Sequence, residues 1–145
     1  MVREIRFLIV TLAAVLLSVT AFAENDIAVM LDGTPLSFDV PPVISEDRTF
    51  VPMRAIFEAF DCDVEWLSDE QVVIATKDSK MIMLKIGNKR LIVSDIFSGE
   101  TKTFETDAAP FIENGRTLVP IRYISEALSC SVDWNGETRT VSITK

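Results

Sequence analysis

The stretch that decides the fold occurs twice, as RTFVPMRAIFEAF at residues 48–60 and as RTLVPIRYISEAL at residues 116–128. The similarity continues beyond these phrases, because residues 42–76 align without a gap on residues 110–144 at a constant offset of 68 positions. Many aligned positions are identical, and chance does not produce identities at this density. The sequence therefore predicts two structurally equivalent segments, which we call the first and second copies.

Each phrase has the pattern of a short amphipathic helix. Pro52 and Pro120 suit the first turn of a helix, where the missing N–H has no intrahelical partner to lose. Apolar side chains then recur at helical spacing, namely Met53, Ile56, Phe57 and Phe60 in the first copy and Ile121, Ile124 and Leu128 in the second. We predict two helices of about 9 residues. Helices this short need burial against another element.

Strands are predicted on both sides of each helix. After the helices, Val64 and Trp66, and equally Val132 and Trp134, alternate with acidic or small residues, as in a half-buried strand. Turns at residues 68–69 and 135–136 then precede a second strand, the latter with the hairpin sequence Asn-Gly. Residues 27–38 and 80–93 predict two further hairpins. The predicted fold is α+β: a mostly antiparallel sheet from two strand-helix-hairpin repeats, with two short helices packed on it.

The first 23 residues have the layout of a secretory signal peptide. Arg3 and Arg6 form a basic region, residues 7–19 form an apolar run, and a small-x-small sequence ends at Ala23. The run is shorter than the roughly 20 residues of a bilayer crossing, and no second such run follows. We expect cleavage after Ala23 and a single mature domain, residues 24–145, that is secreted or bound to the cell envelope. Retention as an N-terminal anchor is the alternative.

The repeated phrase, followed by EA and then by V-x-W, resembles the copper amine oxidase N-terminal domain-like family, which supplies stalk domains of exported bacterial proteins. The resemblance implies a small, non-catalytic α/β module, since copper and the quinone cofactor belong to other domains of those oxidases. The sequence departs from the family pattern at Asp61 and Ser129, where the family has a helix-closing glycine. It departs again at residues 46–47, which are Glu-Asp where the second copy keeps Asn-Gly.

The composition argues against an enzyme, a metal and a nucleic acid. The chain contains no histidine, although copper(II) sites are normally built on imidazole and the common nucleophilic triads require it. No Gly-rich phosphate loop is present among the five glycines. The chain carries 14 basic and 22 acidic residues, a balance that disfavours nucleic acid and anionic polymers. We therefore predict no catalytic residues, no cofactor and no metal.

Two cysteines occupy equivalent positions, just past each predicted helix. In an exported protein, Cys62 and Cys130 are candidates for one disulfide, and equivalent residues could meet if a pseudo-twofold axis relates the copies. The alternative is two small side chains with free thiols. The sequence leaves both open, because bridging requires Cα atoms within roughly 7 Å.

Four other residues are candidates for interaction. Trp66 and Trp134 are either core residues, since each shares a strand face with a valine, or platforms that stack on sugar rings. Arg54 and Arg122 can either pair with the glutamate four residues later or contact a ligand. We expect a structural use also for the arginines that precede each helix, Arg48 and Arg116, through loop carbonyls or a carboxylate.

The leading functional hypothesis is a non-catalytic, secreted or envelope-associated structural or protein-interaction module. Its predicted partner is a cell-envelope component or another secreted protein. The alternative is a carbohydrate-binding or cell-wall-binding domain that uses Trp66, Trp134 and the helix arginines.

Overall fold

The computed structural model describes residues 26–145, so the predicted signal peptide and its cleavage site lie outside the described residues. Three small sheets and two short helices make up this part of the chain, which confirms the α+β class and the mostly antiparallel pairing. The elements are β1 (Ala28–Leu31), β2 (Thr34–Pro35), β3 (Val43–Ser45), β4 (Arg48–Pro52), α1 (Met53–Ala59), β5 (Asp63–Leu67), β6 (Val72–Lys77), β7 (Lys80–Lys85), β8 (Arg90–Asp95), β9 (Thr101–Glu105), β10 (Phe111–Glu113), β11 (Arg116–Pro120), α2 (Ile121–Ala127), β12 (Ser131–Asn135) and β13 (Thr140–Thr144).

The predicted single sheet is wrong, because the strands divide among three sheets. Strands β3, β4, β10 and β11 form a central sheet in the order β10-β11-β4-β3. The hairpin after α1 continues into β7, β8 and β9, whereas the hairpin after α2 pairs with β1 and β2. The β1–β13 pair is parallel, and every other described pair is antiparallel. The two hairpins lie in different sheets, because each pairs with a different neighbouring strand.

The two copies meet at the antiparallel pair β4–β11. Val51 lies opposite Val119, and on either side Pro52 lies opposite Leu118 and Phe50 opposite Pro120. Adding 68 to Pro52 gives Pro120, and subtracting 68 from Leu118 gives Phe50, so the repeat offset converts the first of these pairs into the second. A local pseudo-twofold axis therefore passes between the two valines. Both valines are fully buried. The strand-to-helix connection therefore occurs twice, as β4–α1 and β11–α2, and the two are related by the axis at the valine pair.

The strand before each helix is the second half of a tight hairpin. Two residues connect β3 to β4 and β10 to β11, and all four have positive φ: 51° at Glu46, 61° at Asp47, 49° at Asn114 and 72° at Gly115. Positive φ at both central residues is the type I′ geometry, which favours Asn-Gly. The first copy thus keeps the same turn with a poorly suited Glu-Asp pair.

The helices contain seven residues each, and Pro52 and Pro120 lie immediately before them, not in the first turn. The predicted apolar stripe faces the core, with Ile56 and Phe57 fully buried. The second helix replaces that phenylalanine with Ser125, whose buried hydroxyl has no hydrogen-bond partner among the described residues. Within residues 26–145, no helix is long and apolar enough to cross a bilayer.

Both helices end in a left-handed residue that is not glycine. Asp61 has a φ of 61° and Ser129 a φ of 62°. The Cys62 N–H bonds the Phe57 carbonyl, and the Asp61 N–H bonds the Glu58 carbonyl; the second helix repeats both bonds. This is the Schellman pattern, in which glycine is preferred at the left-handed position. The helices keep this cap despite the steric cost of a Cβ atom there.

Replacing Asp61 or Ser129 with glycine is expected to stabilise the protein, because the strain of the left-handed conformation disappears. The free energy of unfolding should rise by about 1 kcal/mol at each site, measured by urea denaturation. Asp61→Ala and Ser129→Ala serve as controls, since alanine retains the Cβ atom. An equal gain from alanine and glycine would contradict the explanation.

Candidate functional site

Two clefts flank the central sheet, one beside the start of each helix. Their cavity volumes are about 580 Å³ and 710 Å³, within the range typical of small-ligand sites. The first cleft is defined by Asp39, Pro52, Arg54, Trp66, Ile112 and Arg116. The second cleft is defined by Asp107, Pro120, Arg122, Trp134, Ile44 and Arg48.

These two sets are the same residue types at a constant offset of 68 positions. Each cleft takes its helix start and its tryptophan from one copy, and its isoleucine and hairpin arginine from the other. Neither copy alone could form a cleft. The pseudo-twofold axis between Val51 and Val119 produces both clefts at once, because it brings each hairpin beside the opposite helix.

Each cleft contains an ion pair between the hairpin arginine of one copy and an aspartate that lies three positions before the other copy. The Arg48 guanidinium bonds the Asp107 carboxylate and, at 2.5 Å, the Glu46 carbonyl. Arg116 donates from Nε to Asp39 Oδ2 at 2.8 Å, with Nη2 at 2.6 Å from the same oxygen. Both arginines thus bond a carboxylate, which confirms their expected structural use.

The two ion pairs change the titration of their carboxyl groups. The hydrogen bond from Arg116 holds the pKa of Asp39 below its usual value. The pKa of Asp107 is lowered further, because Arg48 and the Tyr123 hydroxyl both donate to this carboxylate. Burial and the Asp107 charge raise the pKa of Tyr123. Both carboxyl groups are therefore harder to protonate than an unpaired aspartate.

The tryptophans lie on the cleft walls and differ in exposure. Trp66 is half-buried and packs against the main core, as its predicted core role requires. Trp134 is 42% exposed, so the core interpretation is wrong for this residue. Both tryptophans lie on edge strands, β5 of a five-stranded sheet and β12 of a four-stranded sheet, so edge position does not explain the difference.

The helix arginines also differ. Arg54 lies 3.5 Å from Glu58 in the expected i,i+4 pair, with both side chains exposed. Arg122 makes no ion pair within residues 26–145, and its guanidinium is exposed at the second cleft. Exposed pairs of this kind contribute little stability. The structure thus brings Arg54 together with Trp66, and Arg122 together with Trp134.

Exposed apolar residues concentrate in the clefts. Five large hydrophobic side chains of the described region are exposed, and three of them, Ile44, Ile112 and Trp134, line a cleft. The other two, Ile96 and Phe97, lie on the β8–β9 loop. An apolar surface rimmed by polar groups is typical of a binding site.

Comparison with known proteins identifies the family. The copper amine oxidase N-terminal domain family model matches residues 30–143, which include both clefts, the first copy and all but the last residue of the second copy. The chain belongs to this family. A search of curated proteins finds no significant match. The copper amine oxidase N-terminal domain is a non-catalytic accessory domain.

The side chains of this copper amine oxidase N-terminal domain do not fit a copper site. The chain has no histidine, and residues 26–145 contain no group of three or more potential ligands among His, Cys, Asp and Glu. The charged side chains around the clefts belong instead to the ion pairs and helix starts described above.

Cys62 and Cys130, the candidates for one disulfide, have free thiols in the structure. Each sulfur contacts the carbonyl two residues earlier, Phe60 at 3.9 Å and Leu128 at 3.5 Å. Burial raises the pKa of both thiols, so they are less reactive than an exposed cysteine.

Sequence reasoning missed four cleft residues: Asp39, Asp107, Ile44 and Ile112. Asp39 and Asp107 obey the 68-residue offset but lie three positions before the aligned segments begin. Extending the alignment would have found them. The isoleucines were already aligned, but an exposed position on a three-residue strand has no periodicity that distinguishes it from a buried one.

Acid should weaken the structure through Asp39 and Asp107. Their folded-state pKa values lie below the ordinary value of 3.8, so their ion pairs stabilise the fold above that pH and are lost as pH falls below it. The double variant Asp39→Asn, Asp107→Asn should be less stable than the parent at pH 7, and the gap should narrow towards pH 2. Thermal unfolding across this range measures it. Asp69→Asn, an exposed change on the β5–β6 loop, is the control, and a gap independent of pH would contradict the prediction.

Proposed function

We propose that this protein is a non-catalytic structural or interaction module that is secreted or associated with the cell envelope. The observation that carries the proposal is the placement of exposed Ile44, Ile112 and Trp134 in two equivalent clefts. A spacer alone has no need for exposed apolar residues in two shaped concavities. The partner is a component of the envelope or another secreted protein.

The export part of the proposal depends on the N-terminal sequence. Arg3 and Arg6, the apolar run at residues 7–19 and the small residues before Glu24 support secretion. The net charge of −8 supports a partner that is not itself strongly acidic.

Purified protein from cells that express the full sequence should co-sediment with cell-envelope material and saturate. Binding should disappear when the envelope is pretreated with either a wall-degrading enzyme or a protease, and the effective treatment identifies the partner class. The double variant Ile44→Asp, Ile112→Asp places a charge on the apolar wall of both clefts at exposed positions and is the matched control. Equal sedimentation of the variant, or none of the parent, would contradict the proposal.

A second candidate function, carbohydrate binding, is favoured by one specific observation. Each cleft combines a tryptophan with a helix arginine, Trp66 with Arg54 and Trp134 with Arg122. An indole face can stack on the apolar face of a sugar ring, and guanidinium and carboxylate groups can bond its hydroxyls. Mixed walls of this kind, apolar with a few polar groups, are typical of small-ligand sites.

Alanine substitution separates a binding role of the tryptophans from a packing role. Trp134→Ala should lower the free energy of unfolding by less than about 1 kcal/mol, because the side chain is 42% exposed. It should nevertheless weaken retention on insoluble glycans. Trp66→Ala should cost about 2 kcal/mol or more, because this side chain packs on the core. Undiminished retention of the Trp134 variant would contradict the carbohydrate role.

A further inference from the structure

The charges around each cleft cancel, although the whole chain carries a net charge of −8. The first cleft is lined by Arg54 and Arg116 and by the acidic residues Asp39 and Glu58. The second is lined by Arg48 and Arg122 and by Asp47 and Asp107. Both clefts thus have two positive and two negative side chains.

This balance favours an uncharged ligand over an anionic one. An anionic chain would approach an acidic protein against repulsion and would find no net positive charge at either cleft. A neutral sugar meets no such barrier, and the walls offer it both donors and acceptors. The apolar surface of Ile112 and Trp66, or of Ile44 and Trp134, complements the C–H face of a pyranose ring.

The symmetry of the clefts determines how many chains can bind. A straight line that joins the two clefts crosses the pseudo-twofold axis at a right angle. The twofold rotation that superposes one cleft on the other therefore reverses the direction along this line. A polysaccharide has distinct reducing and non-reducing ends. One straight chain crossing both clefts would therefore meet them in opposite orientations, and equivalent recognition requires two separate chains.

We propose that the two clefts bind equivalent units of neutral polysaccharide, and that one protein molecule thereby holds two chains together. The proposal rests on the carbohydrate role given above as the second candidate function. It adds the ligand class, uncharged, and the valence, two. Cross-linking by a small two-site domain also raises retention on a dense glycan, because the second site binds at high effective concentration.

The first test counts sites by titration calorimetry with neutral oligosaccharides of the cello-, laminari- and chito-series. The parent should bind two oligosaccharides per chain. Ile112→Asp and Ile44→Asp, matched changes at equivalent exposed positions, should each bind one, and the double variant none. For the best series, affinity should change less than twofold between 50 mM and 500 mM salt, because a neutral ligand releases no counterions.

The second test measures cross-linking with soluble polymers: hydroxyethylcellulose, laminarin and glycol chitin, each matched to one oligosaccharide series, and carboxymethylcellulose as the anionic counterpart of the first. Parent protein should increase light scattering of the neutral polymer at least fivefold near two binding units of polymer per protein, and less at protein excess. Each single variant should bind the neutral polymer without increasing scattering. If hydroxyethylcellulose binds, carboxymethylcellulose should bind at least tenfold more weakly.

The outcomes of these tests distinguish the failure of the two-chain proposal from the failure of the carbohydrate-binding function on which it rests. One bound oligosaccharide per parent chain, or scattering that survives in the single variants, overturns the two-chain arrangement and leaves carbohydrate binding intact. Preference for carboxymethylcellulose overturns the neutral ligand class alone. No binding to any oligosaccharide or polymer overturns both this proposal and the carbohydrate function. Circular dichroism of each variant confirms that loss of binding does not reflect unfolding.

Discussion

The pairing of Val51 with Val119 is the contact on which the rest of the structure depends. These two buried valines join the strands that precede the helices, and the register around them relates one copy to the other. Because β4 and β11 are antiparallel, each helix begins beside the hairpin of the opposite copy. Helix placement, the central sheet and the two clefts all follow from this one register. Both faces of these strands are buried, with Val51 and Val119 in the main core cluster and Phe50 and Leu118 in a second cluster, so a slip of one residue would exchange side chains between the two clusters.

The same geometry explains why functional features occur in pairs. Arg48 bonds Asp107 and Arg116 bonds Asp39, so each ion pair joins the two copies instead of stabilising one of them. Each pair also holds a hairpin against the wall of a cleft. Exposed ion pairs contribute little to stability. Their placement suits a role in orienting the hairpins that present Ile44 and Ile112.

The copies have diverged where the fold tolerates it. Left-handed residues persist at Asp61 and Ser129, although glycine would relieve the strain, because the hydrogen bonds of the helix cap require that conformation. In the core, Ser125 takes the place of Phe57, and its hydroxyl has no hydrogen-bond partner in the described part of the chain. At the clefts, Tyr123 replaces Ala55 and Arg122 lacks the ion pair of Arg54. The two clefts thus share a plan but differ in detail.

The sequence by itself determined the local elements and the family. Periodicity located both helices, the turn residues located the hairpins at residues 32–33 and 87–88, and the repeated phrase carried the resemblance to the copper amine oxidase N-terminal domain. These signals are local, since they depend on neighbours within a few positions. Sheet membership, the cross-copy ion pairs and the exposure of Trp134 were decided only by the tertiary structure. Each of them depends on which strand lies beside which, and a pairing between residues tens of positions apart leaves no local pattern in the chain.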